Sequence, residues 1–340
     1  MDFIHSLSLS LGSPMVLAFF LGIAARIARS DLRLPPAVYS GMTIYLLFAI
    51  GLKGGARLDG VAWEQFLPVV GCALLLCAAI PLWSFVLLNR LGGFSIEDAG
   101  ALAAHYGSVS AVTFGTALTF LDSARITHEP FMPALLAFME GPGVLMALVL
   151  VQVARSLALR PAGSPAALGF IAPGASVRFG AVIAELLSGK GMVLLFGGLG
   201  IGLIGGKAGF DQVAPLFDAP FKGVLTLFLL EMGLVTGERL SDLRRSGPFL
   251  AAFAVVMPLL HGLLGVWLGR QAGLSLGGAA VLGTLAASAS YIAAPAAVRL
   301  ALPEANPALY LTASLAVTFP FNVVFGIPIY VAFARRLYGL

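Results

Sequence analysis

The chain has 340 residues, of which 59% are hydrophobic and only 11% charged, and its mean hydropathy is +0.98. Soluble domains carry about a quarter charged residues, so this composition excludes a water-soluble fold and implies an integral protein of the lipid bilayer. The net charge of +4 is spread as single Lys and Arg residues between apolar runs rather than gathered in a stripe, which excludes nucleic acid as a partner.

A helix needs roughly 20 apolar residues to cross the hydrocarbon, and the strict alternation of barrel strands is missing. In chain order, apolar runs bounded by Gly, Pro and charge fall at 11–29, 35–52, 66–89, 96–121, 130–154, 190–205, 215–236, 248–270, 275–300 and 307–334. These predict an all-α membrane protein of ten transmembrane helices. The N-terminal stretch MDFIHSLSLSLG lacks a basic region and a small-residue cleavage pattern, so the first helix is expected to stay. Cys72 and Cys77 lie in one apolar run and are assigned to packing.

The Pro-, Gly-, Ser- and Ala-rich stretch near the midpoint reads as a linker at 161–189, between a first half at 1–160 and a second at 190–340. With this linker cytoplasmic, both termini lie outside and the inner loops hold the larger share of Lys and Arg. The outer side keeps Lys53, Arg57, Arg125, Lys207, Lys222, Arg270, Arg335 and Arg336. That weak bias follows the positive-inside tendency and sets the orientation of a multi-pass protein, whose expected place is a bacterial inner membrane.

The two halves repeat. Residues 41–59 overlay 223–241, matching Gly51 with Gly233, Gly55 with Gly237 and Arg57 with Arg239. A second block, in one constant register, pairs Ser95 with Ser275, Ser108 with Ser288 and Ser110 with Ser290. Five spans per half is an odd number, so the second half enters the membrane from the opposite side, and the repeats are inverted. This is a transporter architecture, in which discontinuous helices meet near the midplane.

The serine pairs sit inside the fourth and ninth spans, in YGSVSAVTF (106–114) and AASASYIAAPAAVR (286–299). Ser110 and Ser290 are expected N-caps of new half-helices, and Pro295 supports the second break. Two such starts facing each other offer about one unit of positive potential without a basic side chain, suited to a small monovalent anion. Ionisable and strongly polar groups inside spans are costly and therefore functional candidates. Glu140, beside Gly141, Pro142 and Gly143, and Thr113 are read as cation-coordinating or coupling groups; Glu231 is read as a coupling group or a bridge between subunits or repeats; Asn322 is expected to complete the polar centre. A sodium site is suspected at Ser108, Thr113, Glu140 and Ser290. His105 and His261 are read as satisfied by neighbouring polar groups, and Asp122, Glu129, Glu238 and Asp242 as solvated loop charges. No nucleophile sits in a motif with a base and an orienting group, so an enzyme is not expected. An organic-anion transporter or a cation/proton exchanger of similar build remains the alternative.

At these residues, and at FMEGPG (138–143), MGLVTGERL (232–240), LPEANPALY (302–310) and TFPFNVVFGIPIY (318–330), the sequence resembles the sodium-dependent bicarbonate permease family of SbtA-like sodium/bicarbonate symporters. The resemblance implies a homotrimer in which a mobile core of helices 3–5 and 8–10 moves against a scaffold of helices 1, 2, 6 and 7. It further implies sodium-coupled uptake of bicarbonate, with no cofactor besides sodium as the coupling ion. The anion site would be lined by Gly107, Ser108, Val109, Ser110 and Ala111 and by Ser288, Ala289, Ser290 and Tyr291. Tyr291 stands where the family pattern has an aspartate. The resemblance extends to a PII-like cytoplasmic regulator, although the short linker lacks a long acidic insertion.

Overall fold

A computed structural model of the chain describes residues 3–58, 61, 63–158 and 179–340, and these fold into helices without a strand among them. The first half comprises α1 (Phe3–Leu11), α2 (Pro14–Ile27), α3 (Pro36–Ala56), α4 (Trp63–Leu91), α5 (Ile96–Gly107), α6 (Ala111–Ser123), α7 (Met132–Met139) and α8 (Pro142–Ala158). The second comprises α9 (Phe179–Ser188), α10 (Lys190–Phe217), α11 (Phe221–Arg245), α12 (Gly247–Gln271), α13 (Leu276–Ala287), α14 (Ala294–Ala301) and α15 (Pro307–Leu337). By length and hydropathy, six spans qualify among the described residues, or seven when α1 and α2, bent by 60°, count as one. The expected fourth and ninth spans fall short because each is broken, and the seventh because Glu231, Glu238 and Arg239 interrupt it.

Three boundaries differ from the sequence reading. The end of the assigned linker range forms α9, while 161–178 lie outside the described residues. The helix of the sixth run does not stop at 205 but turns at Gly206, with φ of 57°, and continues to Phe217. The seventh begins at Phe221 rather than 215, after a turn at 218–220.

The repeated glycines explain how the halves fit. A Cβ on Gly51 or Gly55 of α3 would lie 2.5 or 2.0 Å from the carbonyls of Leu195 and Leu199 on α10. On the other pair, a Cβ on Gly233 of α11 would lie 2.0 Å from the Phe19 carbonyl of α2, and one on Gly22 would lie 2.2 Å from the Leu230 carbonyl. Residue numbers rise together along both contacts, so α3 runs parallel to α10 and α2 parallel to α11. Without a hydrophobic force between helices in lipid, such backbone-to-backbone contact is how spans gain packing energy, and it demands Gly at every fourth position. The positions that repeat in sequence are therefore those that carry the crossings.

The broken spans are tied down reciprocally. Ser95 accepts from the amide of Asp98 at 3.0 Å and Ser275 from the amide of Gly278 at 3.2 Å, so α5 and α13 begin with equivalent caps at matching places of the two halves. The loop that follows each broken span then reaches the start of the other. The Asn306 amide donates to Asp98 at 2.7 Å, and the Ser275 amide donates to Glu129 at 2.5 Å with the Ser275 hydroxyl at 3.1 Å. Glu129 is thus a helix cap rather than the solvated loop charge expected of it, because a carboxylate is stabilised at the free amides and positive end of α13. Asp122 and Glu238 do remain half exposed, paired with Lys222 at 3.3 Å and Arg26 at 3.1 Å.

Candidate anion and cation site

The first break forms because two glycines let backbones touch. α5 ends at Gly107, and a Cβ on Gly143 at the start of α8 would lie 1.8 Å from the Gly107 carbonyl oxygen. Ser108 and Ser110 are extended, and α6 starts with the Ser110 hydroxyl accepting from the Thr113 amide at 3.2 Å and the Thr113 hydroxyl at 3.0 Å. Ser110 is the cap that the sequence predicts.

Ser290 is not. The second break runs from Ser288 to Ala293, and α14 begins at Ala294, whose amide donates to the Ser290 hydroxyl at 3.3 Å. Pro295 explains the delay: a helix starting next to Ser290 would set the proline ring against the Tyr291 carbonyl, whereas a proline in the first turn costs nothing.

The two breaks meet. The Ser110 amide donates to the Ser288 hydroxyl at 2.9 Å, that hydroxyl donates to the Leu285 carbonyl at 2.7 Å, and the Ser290 amide donates to the His105 carbonyl at 2.8 Å. All four serines are buried, as are Val109, Ala111 and Ala289. These bonds consume part of the amide supply that an anion would use. The amides of Ala111, Val112 and Ile292 donate to no described group, and these three residues line one narrow crevice facing α3 and α11. Tyr291 packs edge-on against Phe319 with ring centroids 5.5 Å apart; its buried hydroxyl interacts with Ser110 without reaching hydrogen-bonding geometry.

Of the cation candidates, Thr113 joins the cluster through Ser110. Glu140 joins it only by its backbone, since the Ser108 hydroxyl donates to the Glu140 carbonyl at 2.6 Å. Its carboxylate faces away, toward α10, where a Cβ on Gly191 would lie 2.7 Å from Oε1, and its buried Oε2 has no partner among the described residues. Asn322 donates to the Ala287 carbonyl at 2.8 Å and accepts from the Tyr330 hydroxyl at 2.9 Å, so it satisfies the carbonyl that the second break sets free. Glu231 lies near Leu34 of the α2–α3 loop and beside Tyr39, and its buried Oε2 has no hydrogen-bond partner among the described residues. Its contacts connect the two halves and do not include the serines.

Sequence reasoning missed the supports of α15. This helix carries widened π turns over Thr312–Thr318 and Asn322–Gly326, which change the facing of side chains between them. Thr318 donates to the Ala254 carbonyl and shares a bond with the Tyr106 hydroxyl, each at 2.7 Å. The prolines at 320 and 328 were the available signal. His105 donates through Nδ1 to the Ala101 carbonyl at 2.7 Å and stacks on Tyr310, and His261 accepts from the Trp83 indole at 2.7 Å, so each ring meets the expected polar neighbour through one nitrogen, while His105 Nε2 and His261 Nδ1 are buried without a partner among the described residues. Among the described residues no three His, Cys, Asp or Glu side chains are grouped to hold a metal.

Two broken helices from equivalent places in the chain, locked together in an apolar helical body, are the arrangement expected of a transporter. No curated protein matches the chain. The family described as the Na+-dependent bicarbonate transporter superfamily matches residues 14–335, nearly the full 340, and because it is a family of transporters the chain is not an enzyme. The chain belongs to the Na+-dependent bicarbonate transporter superfamily.

Proposed function

We propose that this protein is a secondary active transporter that takes up a small monovalent anion, bicarbonate above all, in symport with sodium. The observation that carries the reading is the direct bonding of the two breaks, beside which the amides of Ala111 and Val112 at the start of α6 and of Ile292 within the second break donate to no described group. Those amides and the start of α6 hold the anion, and Ser108, Ser110, Ser288 and Ser290 fix the geometry around it. The freed carbonyls, with Thr113, supply oxygen ligands of the kind sodium takes.

The parallel pairs α2–α11 and α3–α10 support an inverted repeat of five and five spans with helices 1, 2, 6 and 7 as scaffold. Helices 3–5 and 8–10 then form the core that slides past it, carrying the breaks between the two sides. On this reading the protein sits in a bacterial inner membrane as a homotrimer with both termini outside. A PII-like regulator would bind at the cytoplasmic linker, most of which lies outside the described residues.

Purified protein in vesicles is expected to accumulate labelled bicarbonate only under an inward sodium gradient. The double variant Ser110→Leu plus Ser290→Leu is expected to lose at least tenfold in rate while still inserting as a monodisperse protein. Uptake at the full rate by that variant overturns the site. One observation favours proton coupling instead: the partnerless Oε2 of Glu140 at the boundary between core and α10. Proton-driven uptake that Glu140→Gln abolishes would establish that alternative.

A further inference from the structure

Five of the eight basic residues assigned to the outer side line one connected depression. Arg57, Lys222 and Asp218 are shared by two adjoining cavities of about 410 and 1170 Å3, between the end of α3, the end of α6 and the α10–α11 turn. Lys53 lines the inner cavity, and Arg125 and Lys207 the outer one. Each acid here is already neutralised: Lys53 bonds Asp218, Lys207 is 2.6 Å from Asp211, and Lys222 is 3.3 Å from Asp122. Arg57 and Arg125 have no acidic partner among the described residues, so the depression keeps two uncompensated positive charges.

The depression leads to the breaks. At its inner end Phe221 rests on Gly115 of α6, with ring atoms 3.5 Å from where a Cβ would stand. The same Phe221, with Ile50, lines the crevice of about 10 Å3 that reaches Ala111, Val112 and Ile292, room for the centre of about one water. The cations also oppose the orientation rule, which favours few Lys and Arg on the outer side. Arg125 sits in the left-handed region, with φ of 55°, at the position just after a helix where glycine is preferred. A cationic side chain at a helix C-terminus gains from the dipole, yet that gain does not explain why Arg57, Lys207 and Lys222 gather over the same depression.

We infer that this depression is a second, outer anion site, which recruits the transported anion through Arg57 and Arg125 before Phe221 gives way and admits it to the paired breaks. The inference rests on the anion-transport reading and adds a place of capture to it. Two unit charges about 10 Å from a lining position, in water at low salt, raise a monovalent anion's local concentration about two- to fourfold, and about 0.5 M salt removes most of that. Arg125→Gly relieves the backbone while deleting the charge, so it separates steering from stability.

The test does not depend on transport. Thr127, exposed on the rim of the outer cavity, is replaced by Cys in a background where Cys72 and Cys77 are Ala, and a fluorophore is attached there. Quenching by iodide is compared with quenching by neutral acrylamide. The iodide-to-acrylamide ratio is expected to fall about two- to fourfold in Arg57→Gln plus Arg125→Gly at low salt and to converge with the parent's at about 0.5 M salt. In vesicles, the same pair of substitutions is expected to raise the KM for bicarbonate by a similar factor and to leave kcat unchanged. An unchanged quenching ratio overturns the inference whatever the transport result. A reduced ratio in a protein that moves no bicarbonate upholds the anion site and overturns bicarbonate as its cargo.

Discussion

Replacing Gly143 by Ala is a one-carbon change that tests whether the break at 108–110 is held by backbone contact. The added Cβ would stand 1.8 Å from the Gly107 carbonyl oxygen, and 2.3 Å from its carbon. Real Cβ atoms do not approach within 3.0 Å, so α8 and the end of α5 must move apart until that shortfall is made up. Neither side can yield cheaply, because Gly107 is itself backed by Pro81, whose ring lies 2.3 Å from where a Cβ on Gly107 would be. Overpacking a closed contact costs about 1–3 kcal/mol, and the backbone-to-backbone clash puts this case at the upper end. Alanine returns about 1 kcal/mol of helix propensity, which leaves a net loss of about 2 kcal/mol. Gly197→Ala on α10 is the control, since nothing lies within 4 Å of its Cβ. Thermal unfolding in detergent should show Gly143→Ala less stable than the parent and Gly197→Ala equal to it or above. Sodium-driven bicarbonate uptake should fall at least tenfold in the first variant alone, because Gly107 precedes Ser108 and Ser110. If the two alanine variants match each other in both measurements, the backbone contact does not hold the break and the reasoning fails.

Glu129→Ala should lower stability by about 1 kcal/mol, the usual worth of a helix cap, and Glu129→Gln should recover part of it because an amide oxygen still accepts from Ser275; paired unfolding curves check both. Asn322→Leu strands the Ala287 carbonyl, while the Tyr330 hydroxyl keeps the Pro258 carbonyl at 3.1 Å, and should cost about 1–3 kcal/mol, whereas Tyr330→Phe, which removes the donor that Asn322 and Pro258 share, should cost about 1 kcal/mol. Because the two side chains share one bond, the double variant should cost less than the sum of the singles, and a double-mutant cycle measures that coupling.

Much of the site was legible because its signals are local. A Ser-x-Ser pair within an apolar run marks a helix start wherever it falls, and Ser110 caps α6 as read. The same rule failed at Ser290, where Pro295, one turn past Tyr291, governs the starting point and outweighs the cap. Glu140 and Glu129 each have a placement that local sequence does not record. The sequence marked Glu140 as costly and buried, which it is, but the direction of its carboxylate depends on α10 in the other half of the chain, where Gly191 leaves the space that the side chain fills. Glu129 looked like any loop acid, because the amides it caps belong to a helix that starts at 276.

The amino-acid sequence by itself determined that the protein lives in lipid, where its spans break, and which positions of the two halves correspond, since hydropathy, caps and repeated glycines are written in short windows. Only the tertiary structure decided that the Ser110 amide meets Ser288, that the freed Ala287 carbonyl goes to Asn322, and that five cations from four stretches of the chain line two adjoining cavities. Those contacts join residues that lie far apart along the chain. They exist because glycine crossings press α2 on α11 and α3 on α10, and no local propensity records which helix will lie against which.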